Sequence, residues 1–205
     1  MNRIDEPTSQ QIKLSFLVPE LVLASSSPNR RKLLEISGIK VHTFTPDADE
    51  STDGMSTEDA MKKNARVKME AYLSSLSFVP TLPAVSADTL VEIDGVLLGK
   101  PKDYDDARQM LEHLSGRVQT VYTGCAVYTP GKPGFEVFCD KADVVFRLLS
   151  KEEIESYLAT DEWQGAAGAY RLQKTGWTLV DKIDGDWATV VGLPLNNLLE
   201  YFSAE

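Results

Sequence analysis

The chain has 205 residues, a formal net charge of −10, and ordinary globular proportions of hydrophobic (42%) and charged (25%) residues. That length suffices for one sizeable core or a single domain with two lobes, and the acidic balance excludes general nucleic-acid binding, which needs a broad positive field. No apolar run approaches the roughly 20 residues of a membrane-spanning helix, and the amino terminus carries no charged-then-apolar signal pattern, so the chain reads as cytoplasmic, with no membrane partner.

Residues 1 to about 16 are polar and read as a loosely held tail, with one domain over 17–205. Leu21–Ala24 is a short apolar strand. Ser27-Pro28 then opens a helix, because serine caps well and proline suits the first helical position. Leu33, Leu34 and Ile36 give its apolar side, and Gly38 stops it. A second helix starts near Ser56, three residues before Asp59, with Met61, Ala65, Met69, Tyr72 and Leu76 as its apolar stripe.

Ala84–Ser86 reads as a strand, and Thr89–Ile93 and Val96–Leu98 flank the hairpin signal Asp94-Gly95. A helix follows Asp103 and ends at Ser115-Gly116. Val118–Tyr128 and Phe135–Leu148 are long strand-like runs joined by TPGKPG, which has turn chemistry. Ser150 and Glu153 form a capping box for a helix to about Ala159. Gly165–Gln173 is loop-like, Trp177–Ile183 reads as a strand, and a last helix follows Pro194. Helices alternate with strands, but hairpins are present too, so the sheet should be mixed rather than purely parallel.

Cys125 and Cys139 lie in apolar stretches and read as small core residues, too few for a disulfide framework. Two histidines, His42 and His113, argue against a zinc site and a serine–histidine mechanism.

Four constellations carry chemistry. In Leu23–Arg31 a strand runs through three serines into a helix, whose amino terminus offers free N–H groups and a positive dipole end to a phosphate. Arg30 and Arg31 stand in its first turn, where a guanidinium can grip phosphate bidentately. Asp88 follows Ser86-Ala87, and the hairpin after it can return Lys100 to its neighbourhood. A carboxylate with a lysine suits phosphoryl chemistry, one holding metal or activating water and the other neutralising charge. Asp49-Glu50 precedes the second helix and is an oxygen-donor pair suited to Mg²⁺. Lys68 and Lys62 both flank that helix's apolar stripe, and helical geometry does not choose between them. Lastly, Ala167–Tyr170 and Gly192–Leu195 are small-residue segments that permit close backbone approach, and Gln173 carries an amide able to read a base edge.

Taken in order, LASSSPNRRKLL, DADES, the ADT and GKP pair, LSG with VYTG, AGAYRLQ and VVGLPL resemble the Maf family of nucleotide pyrophosphatases, over roughly Leu21 to Leu199. The resemblance implies an elongated α/β fold, a mixed sheet flanked by helices in two lobes with a central cleft, and a homodimer. It implies cleavage of nucleoside triphosphates between the α and β phosphates, with Mg²⁺ or Mn²⁺ as cofactor. The family's catalytic and phosphate-binding positions fall on Ser27, Arg30, Glu50, Lys68, Asp88 and Lys100, which favours Lys68 over Lys62. Glu50 and Asp88 would hold the metal, Asp88 would help activate water, and Arg30, Lys68 and Lys100 would stabilise phosphate charge.

For base choice, the family has a dTTP/UTP branch and a 7-methyl-GTP branch. Thr89 and Gln173 resemble the pyrimidine branch, whereas Asn29 matches neither the arginine of one nor the tryptophan of the other. Gln119 replaces a common histidine, and Ala166 a common lysine. The expectation is dTTP and UTP hydrolysis, removing modified or excess nucleotides. The alternatives are a nucleotide-binding regulator of cell division, and a 7-methyl-GTP enzyme in which Trp163, Trp177 or Trp187 stacks on the cationic base.

Overall fold

The structure, a computed structural model, describes residues 14–204. Most of the expected tail lies outside the described residues; residues 14–17 are helical, and Leu14 is buried.

β1 (Glu20–Ala24) leads into α1 (Pro28–Ile36), capped by the Ser27 hydroxyl and with proline in its first turn. Leu33 and Leu34 are buried, but Ile36, expected on the same side, is exposed. Gly38 follows at φ +80°, a backbone conformation glycine adopts without strain. The chain returns through β2 (Lys40–Phe44), a strand the sequence did not announce. Its residues are all exposed or half-buried, so KVHTF lacks an apolar signature.

α2 (Thr57–Ser74) has Ser56 as cap, with Glu58 and Asp59 at the positive end of its dipole. Met61, Ala65, Met69 and Tyr72 are buried as the stripe predicts, while Leu76 lies past the helix end, half-buried. β3 (Ala84–Ile93) is one continuous strand, not two pieces interrupted near Asp88. It pairs with β4 (Val96–Leu98) in register Ile93 to Val96, with Asp94 and Gly95 both at positive φ as a tight hairpin turn requires.

α3 (Tyr104–Leu114), capped by Asp103, precedes β5 (Val118–Tyr128) and β6 (Glu136–Phe146). α4 (Lys151–Leu158) opens with the expected Ser150/Glu153 capping box. The strand expected at Trp177–Ile183 is corrected: Thr175–Leu179 is a 3₁₀ turn, and β7 covers Val180–Asp184. Its Trp-Thr-Leu-Val run mimicked a strand, but Gly176 sits against the Arg171 backbone and the segment coils there. A short α5 (Trp187–Val191) precedes α6 (Leu195–Ser203), the helix expected after Pro194.

Among the described residues seven strands form a mixed sheet ordered β2-β1-β3-β5-β6-β7, with β4 also on β3. β1 runs parallel to β2 and β3, whereas β3/β4 and β6/β7 are antiparallel.

The chain divides into two compact units. The first takes the chain up to Asp88, then Thr123–Asp140 and Gly192 onward. Its core includes Ala24, Ala65, Met69, Tyr72, Ala84 and Ala126. α2 lies hard against β5 here: a Cβ on Gly124 would stand 2.1 Å from the Met61 carbonyl oxygen, so only glycine fits. The second unit takes Thr89–Tyr122 and Lys141–Val191. Its core gathers Leu111, Leu114, Phe146, Leu158, Trp163 and Tyr170, among others.

Candidate active site

In the first unit, β1 delivers three serines to the amino end of α1. The Ser27 hydroxyl accepts from the Arg30 backbone N–H at 3.5 Å, the ordinary bond of a serine cap. Arg30 turns inward and is 8% exposed. Its Nε donates to the Gly192 carbonyl at 2.7 Å and its Nη1 to Ser25 Oγ at 2.9 Å. The SSSPNRR segment is thereby tied to the GLPL segment far along the chain. Arg31 separates from it: exposed, it pairs with Glu35 one helical turn on.

The second group stands on α2 and β3. Lys68 is buried, 7% exposed, and its Nζ donates to Asp88 Oδ1 at 2.7 Å. The same ammonium lies 3.0 Å from Glu50 Oε2. One lysine thus joins the two carboxylates that the resemblance singled out. Lys62 instead pairs with Glu58 on the outer face. Asn64, one turn before Lys68, donates from Nδ2 to Asp88 Oδ2 at 2.8 Å. Sequence reasoning missed Asn64; its place four residues before Lys68 was the available signal.

The loop carrying Glu50 is pinned on both sides of that residue. Lys63 Nζ donates to the Asp49 carbonyl at 2.9 Å and to the Ser51 carbonyl at 2.6 Å. The Asp49 carboxylate accepts from the Ser51 N–H and hydroxyl. Asp49 is therefore engaged in its own turn, and of the pair it is Glu50 that reaches the cluster.

Burial alone would raise the Asp88 pKa. The neighbouring Lys68 ammonium, the Arg30 charge and the Asn64 bond outweigh burial and hold the carboxyl below its usual range. Arg30 is pulled down by burial, partly opposed by Asp88, Cys125 and Glu50; a guanidinium stays charged nonetheless. Burial pushes the Cys125 thiol up, and Cys139, half-buried, rises to about 12 for the same reason. Neither thiol is a nucleophile at neutral pH.

In the second unit, Lys100 is exposed and follows Gly99, whose carbonyl accepts from the Gly168 N–H at 3.1 Å. Gly168 and Ala169 both take positive φ, +68° and +61°. Beside them the buried Gln119 amide donates to the Tyr170 hydroxyl. Of the base-selecting candidates, Thr89 lies half-buried on β3 and Gln173 is exposed. Asn29, in the first unit, is half-buried in the first turn of α1. Trp163 is a core residue bonded to the Leu158 carbonyl, while Trp177 is exposed.

Among the described residues no group of three or more histidine, cysteine or acidic side chains is placed to hold a metal ion. Mg²⁺ is usually held by one or two carboxylates together with substrate phosphates. Glu50 and Asp88, meeting at one lysine, fit that donor set.

No helix among the described residues is long and apolar enough to cross a membrane. The Maf-like protein family matches residues 20–205. A dTTP/UTP pyrophosphatase of Shewanella denitrificans is 42% identical over 180 residues, covering 85% of this chain and 90% of its own. Those of Acholeplasma laidlawii (39% identity; 88% and 93% covered) and Pyrococcus furiosus (40%; 86% and 90%) are similar to the same extent. The Staphylococcus aureus Ham1 protein structure aligns with TM-score 0.42 and 16% identity over 70% of this chain and 98% of its own, too weak a likeness to carry an argument. With the family match spanning nearly the whole chain and the relatives aligned along almost their full lengths, the chain belongs to the Maf family.

Proposed function

We propose that this protein hydrolyses dTTP and UTP to the monophosphate and pyrophosphate. The relatives named above support the substrate. The observation that carries the chemistry is the single buried ammonium of Lys68, bonded to Asp88 and paired with Glu50.

The roles follow from that cluster. A water oxygen bonds to the α-phosphorus, the bridge to the β-phosphate breaks, and pyrophosphate leaves with the bridging oxygen. Asp88, kept ionised by its neighbours, accepts the water's proton. Ser27 and the amino end of α1, where the helix dipole is positive, receive phosphate oxygens. Arg30, Lys68 and Lys100 offset charge as it builds on the phosphates. Glu50 and Asp88 would hold Mg²⁺ or Mn²⁺, which when bound screens the triphosphate and polarises its oxygens. Asn29, Thr89 and Gln173 would choose the base. The family resemblance also supports a homodimer in the cytoplasm that clears non-standard or excess nucleotides.

Initial rates on a panel of nucleoside triphosphates, with wild type beside Gln173→Ala, test the substrate. The expected result is fastest turnover of dTTP and UTP, with their lead over the other bases reduced in the variant. An unchanged ratio would remove Gln173 from base selection, and preference for another base would overturn the pyrimidine reading.

A further inference from the structure

Asp88 is gripped at both oxygens by one face of α2. Lys68 takes Oδ1 at 2.7 Å, and Asn64, one turn earlier, takes Oδ2 at 2.8 Å. Between them on the helix, the Ala65 carbonyl accepts from Ser86 Oγ at 2.6 Å, two residues before Asp88 on the same face of β3. Strand and helix are therefore locked in register where the carboxylate projects.

Asn64 is 4% exposed, and its Oδ1 is buried with no hydrogen-bond partner. The amide cannot be turned round to relieve this, because an ionised carboxylate only accepts and would then face the amide oxygen. A buried acceptor without a donor lowers stability. An apolar side chain of the same size would avoid that cost, so folding alone does not account for an amide here.

We propose that Asn64 is a positioning residue for Asp88: its N–H stops the carboxylate from rotating, and it does so without adding positive charge. Lys68 divides its charge between Asp88 and Glu50. A neutral donor on Oδ2 completes the grip that Lys68 makes on Oδ1 and fixes the carboxylate plane. The inference rests on the reading of Asp88 as the catalytic carboxylate.

The test compares wild type, Asn64→Leu, Asn64→Ser and Asp88→Asn, by steady-state hydrolysis of dTTP with Mg²⁺ and by thermal melting. The leucine variant keeps the branching and heavy-atom count and removes both donor and orphan acceptor; the serine variant is smaller and polar, and keeps the measurement available if the bulkier leucine packs badly. The expected result is kcat lower by about 10- to 100-fold in both, KM within about twofold because substrate contacts are retained, and melting temperature held in at least one. Wild-type kcat in either folded variant, or a loss appearing wholly in KM, overturns the proposal. Asp88→Asn separates the two readings. If it is inactive while the Asn64 variants are not, Asn64 alone is wrong; if it is fully active, the assignment of Asp88 fails first.

Discussion

Lys68 reaches Asp88 across 2.7 Å from a position 20 residues earlier in the chain, and both side chains are largely withdrawn from water, at 8% and 16% exposure. A charge pair so placed holds its geometry, and removal of one partner leaves the other uncompensated.

Lys68→Met therefore has two expected effects. Stability falls by about 2–4 kcal/mol, because Asp88 loses its main counter-charge while retaining some solvent. Turnover falls by about 10²–10³, the usual loss for one charge-stabilising donor. Urea unfolding and kcat on dTTP check the two separately, and Lys62→Met, at the pair with Glu58, should leave both nearly unchanged.

Arg30→Lys is not a conservative change. The guanidinium serves Gly192 and Ser25 at once, and an ammonium on a flexible stem cannot reproduce that fork. Loss of one or both bonds should cost about 1–3 kcal/mol, with kcat/KM for dTTP lower by about 10- to 100-fold. Arg31→Lys, at the exposed helical pair, serves as the control and should match wild type.

Gly124→Ala probes the packing that sets α2 against β5. The added methyl would stand 2.1 Å from the Met61 carbonyl oxygen and 2.9 Å from the Lys62 nitrogen, both backbone atoms. Helix or strand must move, at about 3 kcal/mol, and the shift would displace Asn64 and Lys68 on the same helix. A lower midpoint in urea together with reduced turnover is the expected outcome.

Glu153 gives a pH signature. Its carboxylate accepts from the Ser150 N–H and from Arg147, both at 2.8 Å, and these bonds, the backbone one foremost, hold its pKa below the usual value. A depressed folded-state pKa stabilises the fold above the unfolded value of about 4.3, and that contribution is lost as pH falls through the folded value. The melting-temperature gap between wild type and Glu153→Gln should be present at pH 7 and shrink below about pH 4.

Much of this architecture is legible in the sequence because local signals agree with burial. Ser27-Pro28, Ser56 and the Ser150/Glu153 box mark helix starts that the structure keeps, and Asp94-Gly95 marks the hairpin. β2 was missed because an exposed strand needs no apolar alternation. β3 was divided because Asp88 and Thr89 interrupt its apolar run, although a polar pair within a strand is where a site residue belongs. Periodicity could not separate Lys68 from Lys62, nor Arg30 from Arg31. Which member turns inward depends on partners distant in the chain, Asp88 for the lysine and Gly192 for the arginine. Asn64 escaped notice because its one-turn spacing from Lys68 points to a site only once the strand opposite, with Asp88, is known.

The most direct measurement is ³¹P NMR of a dTTP digest with Mg²⁺, run on wild type and on Asp88→Asn. The account predicts dTMP and pyrophosphate as the only products, and their disappearance in the variant. Release of dTDP and inorganic phosphate, or undiminished turnover by Asp88→Asn, would contradict it.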